Sequence, residues 1–413
     1  MILSHTNSVE PMATFGNDPV LKADPSDARA SNIRSAFQLV FPSGQMSRAE
    51  MGRRMGLSRM AIGKVVSEML ESHLLRELGM DERSGRGKRS VMLAVDPDGW
   101  RVVSLDLTAR YMIRGALVDM CGHIVSRAEI PCEGMGNVRL KALDELCDRL
   151  LGESDQPILG LGVAVPGIVN SEGTVIRSVN LKWTNLALKE HIEKRLHVPA
   201  VICNDVNMGL LGECTFGRCS ADSMFIKIDQ GVGAAVCVDG RIVEGNAYSS
   251  GEIGHVVVDP KGKKCVCGKR GCLETVLSAP VLKKRIAKEP ESRTAILAEA
   301  GQLLGKTLAM SVSLLDLSNI SVSGPAEIVG DAFIGSMREE LEADTVVDYR
   351  APVALHRCEQ GDDLVLLGQA IAVINGLVDS IHWKNVGGDE MSNPSTGSAN
   401  AAGQRNMPNK KGD

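Results

Sequence analysis

Aromatic side chains are scarce, 3% of 413 residues, so few rings are available to stack against a ligand. No apolar run approaches the roughly 18 residues needed to cross a bilayer. The start, Met1-Ile2-Leu3-Ser4-His5-Thr6, lacks the basic stretch followed by an apolar one that marks a secretory leader. Membrane insertion and signal-directed secretion are therefore disfavoured, and a cytoplasmic protein is expected. A disulfide framework is missing too. The 11 cysteines are odd in number and spread along the chain, with three crowded at Cys265, Cys267 and Cys272, a pattern of reduced thiols plus a metal site.

The chain has a hydrophobic content of 44% and a charged content of 23%, enough for proper cores, and its length suggests two or three folded units. The net charge of -5 hides an asymmetry. Between Arg29 and Val95 there are 12 Lys or Arg against 6 Asp or Glu, a balance of +6, which leaves -11 elsewhere. Only that segment can attract polyanions. Residues 1–28 and 386–413 are rich in Ser, Asn, Pro or Gly without a helical or alternating period, and both are expected to be disordered tails. Asp96 to Gly99, where the charge balance changes sign, reads as a boundary between a unit over 29–96 and a larger one over 97–385. In the larger unit, β-rich runs at 102–107, 113–118, 158–165, 201–203, 223–228 and 319–323 alternate with helical stretches at 138–151 and 279–315, so its class is mixed α/β. No short-period repeat is evident.

In the basic unit, Ser47-Arg48-Ala49-Glu50 fits a capping box that starts a short helix ending near Gly56. Ser58 begins a second helix. Its apolar positions Ile62, Val65, Val66, Met69 and Leu70 share one face, which leaves Arg59, Gly63, Lys64 and Ser67 toward the other. Strand-like pieces at 74–78 and 91–95 follow, joined by a tip that carries Arg83, Arg86, Lys88 and Arg89. Together these describe a winged helix-turn-helix. Ser58, Arg59 and Lys64 would approach the major groove of operator DNA, and Arg86, Lys88 and Arg89 the phosphates or the minor groove. The plainer reading is a solvated basic face on a small protein-interaction module.

His255, Cys265, Cys267 and Cys272 offer four ligands at a spacing suited to tetrahedral Zn2+, with Gly268 and Gly271 letting the backbone wrap tightly. Ordinary buried cysteines beside an unrelated histidine are the alternative, but three thiols within eight positions of a Lys- and Gly-rich stretch are hard to bury for packing alone. A closed, structural site is expected rather than a catalytic one.

These residues resemble the ROK family of bacterial sugar kinases and sugar-responsive repressors. The resemblance runs from about Ser31 to Trp383 and rests on Gly251-Glu252-Ile253-Gly254-His255, on Cys265 through Glu274, and on Val165-Pro166-Gly167, Asn180-Leu181-Lys182-Trp183 and Asn204-Asp205-Val206-Asn207 with Gly212-Glu213. It implies two ribonuclease-H-like lobes of the actin and hexokinase type with a sugar between them. It also implies that His255 binds zinc through one ring nitrogen and faces the sugar with the other. Asn204, Asp205, Glu252, His255 and Glu274 become the expected sugar contacts, their amide and carboxylates suited to vicinal hydroxyls. Asp205 could instead cap the helix that follows it, and Glu274 could cap or form a salt bridge. Gly167 and Asn180 are weaker candidates, equally readable as turn residues.

The family's kinases carry Asp-x-Gly-Gly-Thr-Lys at a phosphate-binding turn, where this chain has Asp106-Leu107-Thr108-Ala109-Arg110-Tyr111. Both glycines and the threonine are replaced, and Tyr111 adds bulk where backbone amides would approach a triphosphate. Asp205 matches the kinases' base, which contributes nothing without a positioned phosphoryl donor. The expectation is a non-enzymatic transcriptional regulator, most often a repressor in this family, answering to a sugar or sugar phosphate. It would act as a homodimer or dimer of dimers. A sugar kinase fused to a DNA-binding unit is the alternative.

Overall fold

The computed structural model describes residues 25–80, 90–134, 138–345, 348 and 351–378, all within one unit by their contacts. Helix α1 (Pro25–Gln38) is followed by strand β1 (Met46–Ser47), helices α2 (Arg48–Arg54) and α3 (Arg59–Glu71), and strands β2 (Leu75–Met80) and β3 (Val91–Val95). The strands pair antiparallel in the order β1-β3-β2. Helix α1 begins inside the stretch expected to be a tail, because Ile33, Ala36 and Phe37 form a helical apolar stripe that is buried. The other residues of the two expected tails lie outside the described residues.

Half of the anticipated capping box forms. Ser47 Oγ accepts from the Glu50 N–H at 3.2 Å, while the Glu50 carboxylate turns to Arg53 and Arg54. Gly56, at a φ of 66°, makes the sharp exit from α2. Ser58 Oγ then caps α3 by accepting from the Ala61 N–H at 3.2 Å. Ile62, Val65, Val66 and Met69 are buried and Leu70 is half-buried, as the spacing predicts. Each fully buried side chain of this size contributes about 1.5–3 kcal/mol.

The rest of the chain builds two five-stranded sheets. The first comes from β4 (Arg101–Asp106), β5 (Met112–Asp119), β6 (Ile124–Pro131), α4 (Leu140–Gly152), β7 (Ile158–Val165), the small sheet of β8 (Ile168–Val169), β9 (Val175–Ser178) and β10 (Trp183–Leu186), then α5 (Leu188–Leu196), β11 (Ala200–Asn204) and α6 (Asp205–Phe216). The second comes from β12 (Ser223–Ile228), β13 (Val232–Val238), β14 (Arg241–Ile242), α7 (Glu274–Leu277), α8 (Ala279–Lys288), α9 (Arg293–Leu315), β15 (Asn319–Ser323), α10 (Asp331–Thr345), β16 (Ala354–Arg357) and α11 (Leu364–Leu377). Their orders are β11-β7-β4-β5-β6 and β16-β15-β12-β13-β14. Each is a three-stranded antiparallel meander whose first strand pairs with a parallel strand, which pairs with another. The duplication is one of topology, so no short-period repeat betrays it in the sequence.

Helices α6 and α11 pack together. Helix α11 also lies on β4 and β7 of the first sheet, and α6 on β12 and β13 of the second. Their backbones approach closely: a Cβ on Gly368 would fall 1.8 Å from the Met208 carbonyl oxygen. One apolar cluster joins Ile33, Phe37, Val66, Leu74 and Val95 of the N-terminal elements to Met120, to Met208 and Leu211 of α6, and to Ile371 and Ile374 of α11. The connection after β3 is pinned as well, by Trp100 Nε1 donating to the Ser72 carbonyl at 2.9 Å. No helix among the described residues is long and apolar enough to cross a membrane. One pair of cysteines departs from the expected reduced thiols: Cys214 and Cys219 are joined across the end of α6.

Candidate ligand cleft and metal centre

A cleft of about 570 Å³ opens between the two sheets. It brings together all five expected contact residues, Asn204, Asp205, Glu252, His255 and Glu274, and is also lined by Gly167 and Asn180. Gly212 and Glu213, at the far end of α6, do not line it. Gly212 packs against α11, and Glu213 is buried with His356 Nε2 at 3.1 Å.

The cap of α6 is Asn204, not Asp205. Asn204 Oδ1 accepts from the N–H groups of Val206 and Asn207 at 2.8 and 3.0 Å, and its Nδ2 donates to the Gly167 carbonyl at 2.8 Å. These bonds leave Asn204 little capacity for a ligand and free the Asp205 carboxylate. Asp205, 6% exposed, instead accepts from Lys227 Nζ at 2.9 Å. Burial pushes the Asp205 carboxyl up, and the Lys227 ammonium pulls it part of the way back. Burial opposes the Lys227 charge too, but the Asp205 and Asp106 carboxylates outweigh it and raise its pKa. Sequence reasoning passed over Lys227. Its one available signal was a lone cation inside Met224-Phe225-Ile226-Lys227-Ile228, whose four other members are all buried.

A second pair stands at the end of β4. The buried Asp106 carboxylate accepts from Arg114 at 2.5 Å and from the Thr108 N–H at 2.8 Å. Thr108, 5% exposed, lines the cleft, so the amide that a phosphate would seek is held by the chain's own carboxylate. Tyr111 is not the obstruction its bulk suggests. It is 56% exposed, with the Arg110 guanidinium 5.2 Å from its ring centre, and it lies outside the cleft lining.

The ligand atoms of His255, Cys265, Cys267 and Cys272 lie within 4.8 Å of one another. Cys265 Sγ is 3.5 Å from His255 Nδ1, and Cys267 Sγ is 3.6 Å from Cys272 Sγ. A zinc tetrahedron with arms of about 2.3 Å to sulfur and about 2.0–2.1 Å to nitrogen has edges of about 3.5–3.8 Å; these two edges match it, and the wider separations would close by about 1 Å around the ion. The turns that assemble it need glycine: a Cβ on Gly271, at a φ of 67°, would fall 1.4 Å from the Asp259 carbonyl oxygen. His255 Nδ1 faces the thiols, while Nε2 lies 3.8 Å from Glu252 on the cleft side. Burial raises the Glu252 carboxyl, although His255 works against it. Glu274, the first residue of α7, is 2.9 Å from Cys265 Sγ and 3.5 Å from His255 Nδ1, within reach of both metal shell and cleft.

On α3, Ser58, Arg59 and Lys64 are exposed, Ser58 with its hydroxyl spent on the cap. Arg86, Lys88 and Arg89 lie outside the described residues.

A model described as the ROK family matches residues 103–375. The DNA-binding transcriptional repressor Mlc of Escherichia coli (strain K12) is 27% identical over 391 residues, covering 84% of this chain and 95% of that protein. Among solved structures, a ROK family transcriptional regulator titled a homolog of the E. coli MLC protein superposes with a TM-score of 0.73 at 23% identity, covering 85% of this chain and 97% of that one. A ROK family glucokinase from Streptomyces griseus, in complex with glucose and AMPPNP, superposes with a TM-score of 0.57 at 23% identity, covering 66% and 98%. At these identities the two structures speak for the fold, which a regulator and a kinase share.

Proposed function

The chain belongs to the ROK family, and from that premise we propose that it is a sugar-responsive DNA-binding transcriptional regulator. It acts in the cytoplasm as a repressor of carbohydrate uptake or catabolism genes and does not phosphorylate the sugar it binds. The observation that carries this reading is the ion pair between Lys227 Nζ and Asp205 Oδ2 at 2.9 Å. Asp205, the carboxylate that the resemblance matches to the kinases' base, is held by a buried ammonium, and the amide at Thr108 is occupied by Asp106. The cleft keeps acceptors for hydroxyls, while the expected base and one phosphate-facing amide are both engaged within the chain, which supports binding without phosphoryl transfer. The sequence relationship to Mlc supports the regulatory role.

In this reading α2, α3 and the β2–β3 pair are a winged helix-turn-helix, and α3 enters the major groove with Arg59 and Lys64 foremost. Arg86, Lys88 and Arg89 contact the duplex beside it. Zn2+ is held by His255 Nδ1 and the three thiolates. Its role is to fix the ring so that Nε2, with Glu252 and Glu274, meets the ligand. A sugar or sugar phosphate shifts DNA affinity by binding one lobe arrangement better than another. The apolar cluster that runs from α6 to α3 gives that difference a route to the DNA-binding face. A homodimer places two such faces on half-sites about one helical turn apart.

The test selects a duplex from a random-sequence library with the full-length protein and titrates it by fluorescence anisotropy. The titration is repeated with monosaccharides, amino sugars and their phosphates. At least one ligand is expected to change the affinity severalfold, and none should support ADP release from ATP. Failure of the whole panel to alter binding, or steady ADP release with any hexose, would overturn the reading.

A further inference from the structure

Resting on the DNA-binding reading above, we infer that Met60 reads the 5-methyl group of a thymine, so that operator sites carry an A·T pair facing the first turn of α3. Met60 is 85% exposed, more than any other large apolar side chain among the described residues. It is the second residue of α3, directly after Arg59 and one turn before Lys64, both exposed. An apolar side chain held in water between two cations has no role inside the fold, because the buried stripe of α3 lies on the opposite face.

Its surroundings single out the occupant. In a helix-turn-helix, base edges are reached by the N-terminal residues of the second helix. Along the major-groove edge, the one apolar group a base pair presents is the thymine methyl. Arg59 and Lys64 are charged to hold the flanking phosphates, and an unbranched thioether can follow the methyl without a fixed shape of its own.

Gly63 supplies a second, independent observation. It lies one turn from Met60 on the same side, inside the helix, where glycine is the poorest helix former after proline. No packing demands it: beyond its chain neighbours and the backbone of its own helix, a Cβ there would meet nothing within 4 Å. The missing side chain lets something outside the molecule come close to the α3 backbone, as the floor of the groove does when Met60 reaches a base edge.

The experiment uses the duplex selected from the random library and replaces each thymine in turn by deoxyuridine, which removes only the methyl. With the wild-type protein, at least one replacement per half-site is expected to weaken binding about fourfold, the loss of one buried methyl. Met60→Ala is expected to bind thymine and deoxyuridine duplexes equally, while Met60→Leu keeps the discrimination. Both side chains are exposed, so folding is not at stake. Gly63→Ala is expected to melt at a higher temperature than wild type yet bind the duplex more weakly, separating stability from contact. If every deoxyuridine duplex binds wild type as tightly as the parent, or if Met60→Ala discriminates as wild type does, the inference falls and the DNA-binding reading stands. If the library yields no enriched duplex at all, it is the DNA-binding reading that fails.

Discussion

Replacing Lys227 with methionine removes the ammonium from the cleft and keeps most of the side-chain volume. In the native chain the pair is 2.9 Å apart with both groups nearly out of water. At an effective dielectric of about 20, its attraction is about 6 kcal/mol before desolvation is counted. Removing one partner of such a pair destabilises by about 3–5 kcal/mol, because a charge remains buried without compensation. Asp205 has an escape, which is to take up a proton. Its pKa is already raised by burial, and without Lys227 it rises further. A carboxyl whose folded pKa exceeds its unfolded value adds stability at low pH and loses it as pH climbs through the folded pKa. The deficit of the Lys227→Met variant should therefore be small near pH 5 and grow toward pH 8, by up to about 1.4 kcal/mol per pH unit. At about 2 °C per kcal/mol in a domain of this size, the high-pH melting temperature falls by about 6–10 °C. Adding Asp205→Asn should recover most of the loss. Thermal melts of the three proteins at several pH values decide it. An equal deficit at pH 5 and pH 8, or no recovery in the double variant, would refute the reasoning.

The metal cluster predicts one zinc per chain by elemental analysis. Chelation or Cys272→Ser should lower the melting temperature and the exchange protection of residues around the cluster, since a closed site contributes folding energy. Asn204→Ala removes the cap of α6 and its tie to Gly167. It should destabilise by about 1 kcal/mol, read as a melting shift of about 2 °C, and Asn204→Asp should keep the cap but recover only part of the loss, because a carboxylate cannot donate to the Gly167 carbonyl.

The N-terminal unit was legible in the sequence because its signals are local. A hydroxyl before each helix, Gly56 between them and a 3.6-residue stripe fix α2 and α3 without help from elsewhere. The metal cluster was legible for the same reason: three of its ligands lie within eight positions and the fourth is tied to them by chemistry. Helix α1 was missed because its buried stripe is short and follows a polar stretch, so tertiary packing, not propensity, settles its existence. In sequence the cap of α6 falls to Asp205 if to either residue, but Asn204 is as good a cap by type, and it is Asn204 that accepts from the Val206 and Asn207 N–H groups while donating to the Gly167 carbonyl. Lys227 and Arg114 were invisible as partners because each meets its carboxylate on another element, Lys227 reaching the start of α6 and Arg114 crossing the β4–β5 pair. Lys227 is 22 residues from Asp205, and no periodicity encodes such a pairing.

The exchange of helices between the two halves of the larger unit has a consequence for how this protein can be divided. Each half ends in a helix that it gives away: α6 covers the sheet of the second half and α11 the sheet of the first. A chain cut near Ser220, between α6 and β12, would yield two polypeptides that each keep an apolar core of their own but carry the helix that covers the other's sheet on its second face. Each piece would expose the sheet face that the other's helix covers, and reassembly by mixing them would report whether the interlock is made late in folding or as each sheet forms.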